Sequence, residues 1–420
     1  MSGGRTAGAG AGPAAAGEAD VVIVGGGAAG LSLAHALTAP GAARPLSVTL
    51  VETPRRSLRP PARTWCFWQE GPSGFDEALV ASWRRLRVRG RDGGVVDGEL
   101  GAMRYRMLRS DTFEALVTAR LTARPRVRLL TATAEAVRDV PGGAEAVCVT
   151  ADGRRVTVRG RHLYDSRPAR TLPPARSTLL QHFRGWFVHT SEPVFDGDVV
   201  ELMDFRVPQP PHGLAFGYVL PLGPAHALVE YTQFSPTPLA GPAYTAALRH
   251  YTDEVLRLGR FTVSAVEEGV IPMTDARFPR RTGARVHRIG AVGGATRPAT
   301  GYTFSAVQRQ CAAVASALRA GDEDGRLPPP HRRRSLAMDA VLLRALDTGR
   351  VNGPDFFTGL FRDVPTERVL RFLDGRSSWR EDLLIGFSTP VVPMLRTVAE
   401  LPFLPRRPHP GPPGGGPGGD

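Results

Sequence analysis

A glycine-rich segment near the start of the chain constrains the fold more than any other feature. Residues 20–30 read DVVIVGGGAAG, a run of β-branched residues that leads directly into glycines and then into helix-forming sequence. Gly25, Gly27 and Gly30 follow the pattern GxGxxG. In this pattern the first glycine makes the turn, the second admits a pyrophosphate, and the third lets the helix pack closely on the sheet. The segment therefore predicts a strand, turn and helix that bind an adenine dinucleotide.

An acid at the end of the next strand supports this interpretation. The apolar run 46–51 ends in Glu52, roughly twenty residues beyond the last glycine, where a ribose-binding acid is expected. The helix begins at Ala28 and Ala29, and its free amides and positive dipole end suit a diphosphate. The fingerprint lies near the start of the chain and no second complete copy follows. That arrangement favours a permanently bound FAD over a nicotinamide cofactor.

Composition limits the class of protein and its partners. No stretch of the 420 residues approaches the roughly twenty apolar residues that cross a bilayer, and the first nineteen lack the apolar core of a signal peptide. We therefore expect a cytoplasmic protein. The net charge of +13 comes from dispersed arginines, without lysine and without aromatic residues interleaved, which argues against nucleic acid as a partner. Three scattered cysteines and ten histidines show no metal-binding spacing, so we predict no metal.

The pattern of predicted elements changes twice along the chain. Short alternating runs separated by Pro and Gly predict an antiparallel sheet in the middle, and strand–glycine-turn–helix sequence returns near residue 290. We predict an α/β protein with a split Rossmann-like FAD-binding domain, an antiparallel β-sheet substrate domain and a helical C-terminal region. The expected boundaries are 1–19 (disordered tail), 20–175 and 281–325 (FAD-binding domain), 176–280 (substrate sheet), 326–405 (helical region) and 406–420 (disordered tail).

Several motifs together resemble those of a known family. After the glycine segment come RTWCFW at 63–68, YRMLRSDTFE at 105–114, YDSRP at 164–168, QHFRGWFV at 181–188, LMDFR at 202–206, GYVLPLGPAHALVEYTQFS at 217–235 and GAVGGATRPATGYTFSAVQRQ at 290–310. In order and spacing they resemble the bacterial FAD-dependent lycopene cyclases. The resemblance implies proton-initiated closure of the linear ends of lycopene into β-ionone rings, without net redox change. It also implies reduced FAD as the active form, with NADPH as the reductant.

The candidate catalytic acid is Glu230, in the strand segment HALVEYTQF. Strand alternation places Leu228 and Glu230 on one face and Val229 and Tyr231 on the other. A carboxyl group in an apolar strand has a raised pKa and can hold a proton near neutral pH. The residues alone leave open a strand-edge glutamate paired with an arginine. The resemblance implies the acid–base role, since a similar segment carries the catalytic glutamate in the family.

Further positions are candidates for cofactor binding. Asp165 ends a strand where related flavoproteins contact the flavin, but a turn-capping role fits equally well. Arg109 precedes a helix and has two interpretations, a contact to the FAD phosphate or ribose and a surface salt bridge. The loop before the later helix is a possible second cradle for the flavin, through Gly293, Gly294, Pro298, Thr300 and Gly301.

Candidates for lining the substrate site are mainly aromatic: Trp65, Phe67, Trp186, Tyr218 and the acid Asp204. Such aromatic residues line a polyene tunnel, stabilise a cation through their rings, or simply form core. Asp204 is a possible second acid or a partner of Glu230.

Two rival functions and one partner complete the expectations. A redox flavoprotein, such as an aromatic hydroxylase or a prenyl-lipid reductase, shares this architecture, and so does a non-catalytic prenyl-binding escort protein. Because lycopene is too apolar to leave a bilayer freely, we expect peripheral contact with a membrane surface. The candidate segments are 337–351, 356–361 and 391–407.

Overall fold

The computed structural model describes residues 14–40, 45–169, 171–322, 324–325 and 327–409. Its strands are β1 (Ala14–Val24), β2 (Val48–Glu52), β3 (Thr64–Glu70), β4 (Leu79–Trp83), β5 (Arg85–Arg89), β6 (Val95–Glu99), β7 (Met103–Arg109), β8 (Val127–Val140), β9 (Gly143–Thr150), β10 (Arg155–Asp165), β11 (Leu172–Ala175), β12 (Thr178–Thr190), β13 (Val199–Asp204), β14 (Leu214–Gly223), β15 (His226–Ser235), β16 (Phe261–Thr274), β17 (Val286–Arg288) and β18 (Arg407–His409). Its helices are α1 (Ala28–Leu37), α2 (Ser110–Thr122), α3 (Gly241–Arg249), α4 (Phe304–Arg319), α5 (Arg333–Asp347), α6 (Gly353–Asp363), α7 (Thr366–Leu373), α8 (Trp379–Phe387) and α9 (Val391–Glu400).

The nucleotide half is built on a parallel sheet. Strands β8, β2, β1, β10 and β17 lie side by side and parallel, and β9 pairs antiparallel with both β8 and β10. Helices α1, α2 and α4 contribute buried residues to one apolar core, while a second, smaller core includes residues of β9 and β10. The return of the chain at β17 and α4 gives the split α/β architecture that the sequence predicts.

A seven-stranded sheet forms the other half, in the order β16, β12, β15, β14, β13, β5, β6. All neighbours pair antiparallel except β13 and β5. Both faces are buried, one against α3 and the other against α5, α6 and α7 together with the small sheet β3–β7–β4. The pair β5–β6 comes from residues 85–99, which the sequence predicts to be part of the FAD-binding domain.

The ends of the chain correct two expectations. Strand β1 begins at Ala14, inside the range predicted as a tail, and residues 1–13 lie outside the described residues. At the other end β18 pairs antiparallel with β11, and Arg406 donates to the carbonyl oxygen of Asp275 at 2.8 Å. The second predicted tail therefore starts with ordered backbone, and residues 410–420 are again outside the described part.

Two of the three segments expected to touch a membrane are buried. Within 337–351 the side chains of Leu343 and Leu346 are in the core of the molecule, and within 356–361 so are Phe357 and Phe361. These apolar residues cover the seven-stranded sheet, which explains their sequence pattern. The expectation for both segments was wrong.

Candidate functional site

The glycine turn between β1 and α1 leaves room for a ligand. Gly25 has φ of +99°, a conformation that favours glycine. A Cβ atom at Gly30 would lie 1.8 Å from the carbonyl oxygen of Gly25, so the helix approaches the turn more closely than another residue allows. A Cβ atom at Gly27 would meet no atom within 4 Å, and the first amides of α1, at Ala28 and Ala29, follow it. The turn therefore presents backbone amides beside open space.

Glu52 stands at the end of β2 beside this turn. Its Oε2 atom accepts a hydrogen bond from the backbone N–H of Gly26, and its Oε1 atom lies 3.4 Å from Nε of Arg59. Burial raises the pKa of Glu52 above its ordinary value, although the Gly26 amide and Arg59 oppose this. The carboxylate is thus positioned at the edge of the space that the glycines leave open.

Asp165 closes the turn after β10. Its carboxylate accepts from the backbone N–H of Arg167 at 3.1 Å and from the guanidinium of the same residue at 2.9 and 2.8 Å. These bonds match the turn-capping interpretation. Its neighbour Ser166, which sequence reasoning missed, donates to the carbonyl oxygen of Val24 at 2.9 Å and packs under Gly25.

The second glycine segment lies against the start of α1. Gly290 has φ of +70°, and a Cβ atom there would lie 2.9 Å from the Cβ of Ala29. Gly294 is also left-handed, with φ of +80°, and a Cβ at Gly293 would lie 2.4 Å from the carbonyl oxygen of Arg288. These close approaches require glycine. The two glycine segments therefore meet and form one cradle.

The same loop continues to the seven-stranded sheet. A tight turn around Pro298 is closed by the N–H of Gly301, which donates to the carbonyl oxygen of Arg297 at 3.0 Å. A Cβ at Gly301 would lie 2.4 Å from Oε1 of Gln181, on β12. This amide oxygen and the hydroxyl of Thr300 are buried without a hydrogen-bond partner. Orphaned polar atoms beside an open glycine cradle fit the edge of a bound dinucleotide.

Glu230 lies on β15 in the middle of the seven-stranded sheet. Its cross-strand neighbours are Gly185 on β12 and Tyr218 on β14, and it faces the same core as Leu228. A Cβ at Gly185 would lie 2.8 Å from Leu228 and 3.4 Å from the Cβ of Glu230, so this glycine makes room for the acid.

The environment of Glu230 favours its protonated form. Burial raises the pKa of Glu230 to about 8; the Thr232 hydroxyl, which donates to its Oε1 atom, acts in the opposite direction, and the nearby Glu267 carboxylate raises the pKa further. A neutral carboxylic acid at neutral pH can donate a proton to an apolar substrate.

Glu267, which sequence reasoning missed, lies in the same row of the sheet. On β16 it pairs across the other side of Gly185, and it accepts from the backbone N–H and the hydroxyl of Thr64 at 2.6 and 2.7 Å. Its Oε2 atom also accepts from Nη1 of Arg109 at 2.7 Å, and that guanidinium lies 5.1 Å above the ring of Phe187. Arg109 is therefore ion-paired, as the salt-bridge interpretation expected, but its main partner is a buried carboxylate beside Glu230 and not a group at the surface.

Aromatic hydroxyls gather on the same side of the sheet. The hydroxyl of Tyr105 lies 2.8 Å from that of Tyr218 and 3.3 Å from that of Tyr302. Burial raises the pKa of each of these phenols, and it raises the pKa of the neighbouring Cys66 thiol to about 12. Trp68 packs edge-on against Tyr302, with ring centroids 4.5 Å apart. The phenols near Glu230 are thus neutral, and together with Trp68 they offer π-faces.

Trp65 belongs to another part of the molecule. Because side chains alternate along β3, Trp65 and Phe67 point away from Trp68, and both pack on Phe304 in the nucleotide half, with centroids 5.7 and 4.9 Å apart. Phe67 still borders a cavity of about 10 Å³ that Trp68 and Tyr302 also line. The expectation that Trp65 lines the site of Glu230 was wrong.

Trp186 and Asp204 lie on the opposite face of the seven-stranded sheet. Trp186 follows Gly185 and packs in the core against α3. Asp204 is fully buried, bonded to Arg206 at 2.8 Å and to the hydroxyl of Tyr251 at 3.1 Å. The sheet separates both residues from Glu230. Asp204 is neither a second acid nor a partner of Glu230, because strand alternation directs it to the other side.

The described residues contain no group of three or more His, Cys, Asp and Glu side chains that could hold a metal ion.

A family model described as lycopene cyclase protein matches residues 20–399. The chain belongs to the lycopene cyclase family. A comparison with curated protein sequences gave no significant match. Thus the family assignment depends on the family model, which spans both glycine segments and the strand that carries Glu230.

Solved structures share the fold of this lycopene cyclase family member. One is a flavoprotein/dehydrogenase from Cytophaga hutchinsonii, with a TM-score of 0.62, 11% identity, and 91% of this chain and 99% of that chain covered. Another is p-nitrophenol 4-monooxygenase from Pseudomonas putida DLL-E4, with a TM-score of 0.57, 15% identity, and 92% and 98% covered. A third is a geranylgeranyl bacteriochlorophyll reductase-like protein from Thermoplasma acidophilum, with a TM-score of 0.56, 15% identity, and 91% and 96% covered. At these identities the similarity supports the fold alone.

Proposed function

We propose that the protein is a flavin-dependent lycopene cyclase that closes the linear ends of lycopene into β-ionone rings. The observation that carries the proposal is the buried Glu230, whose pKa is raised to about 8 on an apolar sheet face next to Tyr218. A carboxyl group with such a pKa is mostly protonated at neutral pH. Membership of the lycopene cyclase family supports the choice of a carotenoid substrate.

Glu230 acts first as an acid and then as a base. Its carboxyl proton adds to the terminal double bond of lycopene, which leaves a tertiary carbocation. A neighbouring double bond attacks this cation and closes the six-membered ring, and loss of one proton from the ring restores a double bond. That proton returns to the Glu230 carboxylate, so proton and electron balance is kept and no oxidant is consumed.

The surroundings of Glu230 protect the cation. Water would trap a carbocation, and the acid is enclosed by the core that contains Leu228 and Trp68. The phenols of Tyr105, Tyr218 and Tyr302 stay neutral and offer π-faces to a positive charge.

The cofactor in this proposal is FAD, held by the glycine cradle. Gly25, Gly27 and Gly30 with the amides of α1 would take the diphosphate, Glu52 the ribose, and the loop through Gly290 and Thr300 the flavin end. Bound FAD, reduced by NADPH, would supply negative charge that stabilises the cation.

A test of function separates the cyclase from its rivals. Expressed in a host that accumulates lycopene, the chain should convert it to γ- and β-carotene, as read by chromatography of the pigments. With purified protein, NADPH should be needed only to prime the flavin, in amounts equal to enzyme. Consumption of one NADPH per substrate turned over would instead support a redox flavoprotein, and carotenoid binding without cyclic products would support an escort protein.

A further inference from the structure

The last two helices expose an apolar surface that no other described part of the protein covers. The exposed large side chains of these helices and of the turn that follows α9 are here called the α8–α9 face: Trp379, Leu383, Leu384, Phe387, Val391, Val392, Leu395, Val398 and Phe403. Phe387 is 76% exposed and Phe403 86%. Exposed large apolar side chains in this number mark an interaction surface.

Helix geometry places these side chains in continuous stripes. On α8, Trp379, Leu383 and Phe387 recur every four residues, and on α9, Val392, Leu395 and Val398 recur every three. The inward sides of the two helices, by contrast, are anchored, with Ile385 and Met394 joined to the core that contains Leu228. The helices are therefore amphipathic, with their outer apolar sides left without a partner.

The charged side chains of α8 and α9 that have no ion-pair partner are positive. Every carboxylate of α8 and α9 is paired with an arginine: Glu381 with Arg371, Asp382 with Arg334, and Glu400 with Arg344 and Arg350. Within the described residues no acid pairs with Arg380, whose guanidinium lies 5.4 Å from the ring of Trp379, or with Arg396, which follows Leu395 on α9. An apolar centre with free arginines at its rim matches an anionic lipid surface.

We propose that the α8–α9 face docks on a membrane containing anionic lipid and lies in its interface. No helix of the described residues is long and apolar enough to span a bilayer. A second copy of this chain is a poorer occupant, because each copy carries a net charge of +13 and the unpaired arginines would face each other. A membrane is a suitable partner for an enzyme that acts on an apolar polyene, so docking would extend the proposed function. The exposure and the charge of the α8–α9 face support docking without it.

Flotation of the purified full-length protein with liposomes tests the proposal without lycopene. Vesicles of phosphatidylcholine alone are compared with vesicles that also contain phosphatidylglycerol, at about 0.05 and about 0.5 M salt. We expect flotation with the anionic vesicles that weakens at high salt but persists in part. The triple variant F387S/L395S/F403S should bind at least tenfold less, because each substitution removes apolar area that would enter the interface. The side chains replaced are exposed, so the fold should remain.

The matched control replaces three exposed apolar residues elsewhere, L58S/V95S/V194S, and should float like the unchanged protein. Absence of flotation with any vesicle would overturn the proposal, and so would equal flotation of the two triple variants. A dimer in gel filtration that the first variant alone dissociates, without flotation, would assign the face to self-association instead. Flotation does not require cyclase activity, so a protein that lacks the proposed reaction would not for that reason give any of these contrary results.

Discussion

Replacing Glu230 by glutamine should abolish cyclisation and at the same time stabilise the protein. The amide keeps the size and hydrogen bonding of the protonated acid but has no transferable proton. Because burial raises the pKa of Glu230 to about 8, from an ordinary value of 4.5, the native state holds a proton that the unfolded chain has lost at neutral pH. This difference in protonation lowers the free energy of unfolding of the wild-type protein by about 3 kcal/mol at pH 7 and by about 5 kcal/mol above pH 8.

The sign of the pH dependence follows from the same pKa values. Below pH 4.5 the carboxyl is protonated in both states, so wild-type stability is highest there as far as Glu230 is concerned. Between pH 4.5 and 8 the native state binds more protons than the unfolded state, so the folding equilibrium constant falls roughly tenfold per pH unit. Glu230→Gln lacks this loss, and its advantage over wild type should grow from pH 5 to pH 8 and then level.

Urea unfolding of both proteins from pH 5 to 9, with pigment analysis of the same samples, measures these effects. Glu268→Gln is the matched control, since Glu268 is exposed on β16, which β12 separates from β15, and should show neither change. If Glu230→Gln still cyclised lycopene at near wild-type rate, the catalytic assignment would be refuted. If its stability kept a constant offset from wild type at every pH, the buried neutral acid would be refuted.

Four further substitutions test the site. Gly27→Val should fold, because a Cβ there meets no atom within 4 Å, but the purified protein should show no flavin spectrum. Gly30→Ala should fail to fold, because its Cβ would lie 1.8 Å from the carbonyl oxygen of Gly25. Glu267→Gln should move the alkaline loss of cyclase activity, expected near pH 8, to lower pH, since Glu267 helps to raise the pKa of Glu230; an unchanged profile would contradict this. Asp204→Asn should cost about 1–3 kcal/mol of stability through its bonds to Arg206 and Tyr251, yet leave the rate per folded molecule unchanged.

The sequence predicts the nucleotide half well because its signals are local. GxGxxG and the acid at Glu52 each depend on residues close in the chain, and the strand, turn and helix and the place of Glu52 at the end of β2 appear as expected. That β5 and β6 belong to the seven-stranded sheet was not predictable in this way. The other strands of that sheet begin after residue 177, and the residues of β5 contain no pattern that indicates pairing with β13.

The candidate site was predictable where strand alternation decides and not where tertiary contacts decide. Alternation correctly separated Leu228 and Glu230 from Val229 and Tyr231. It could not relate β15 to other strands, so Trp186 and Asp204 were grouped with Glu230 although they lie behind the sheet. Glu267 escaped notice because its importance comes from Arg109, which is 158 positions away in the chain.

The helical C-terminal region helps to raise the pKa of Glu230, because burial is the main cause of that raised pKa. Desolvation is the largest contribution at Glu230, and the core that excludes water from its face includes residues of α5, α6 and α7. Two buried contacts hold these helices in place: Nε1 of Trp68 donates to the carbonyl oxygen of Leu370 at 3.0 Å, and Nη2 of Arg297 donates to Asp339 at 2.8 Å. Since Arg297 begins the loop that carries Thr300 and Gly301, the same ion pair links the glycine cradle to the helices that keep Glu230 neutral.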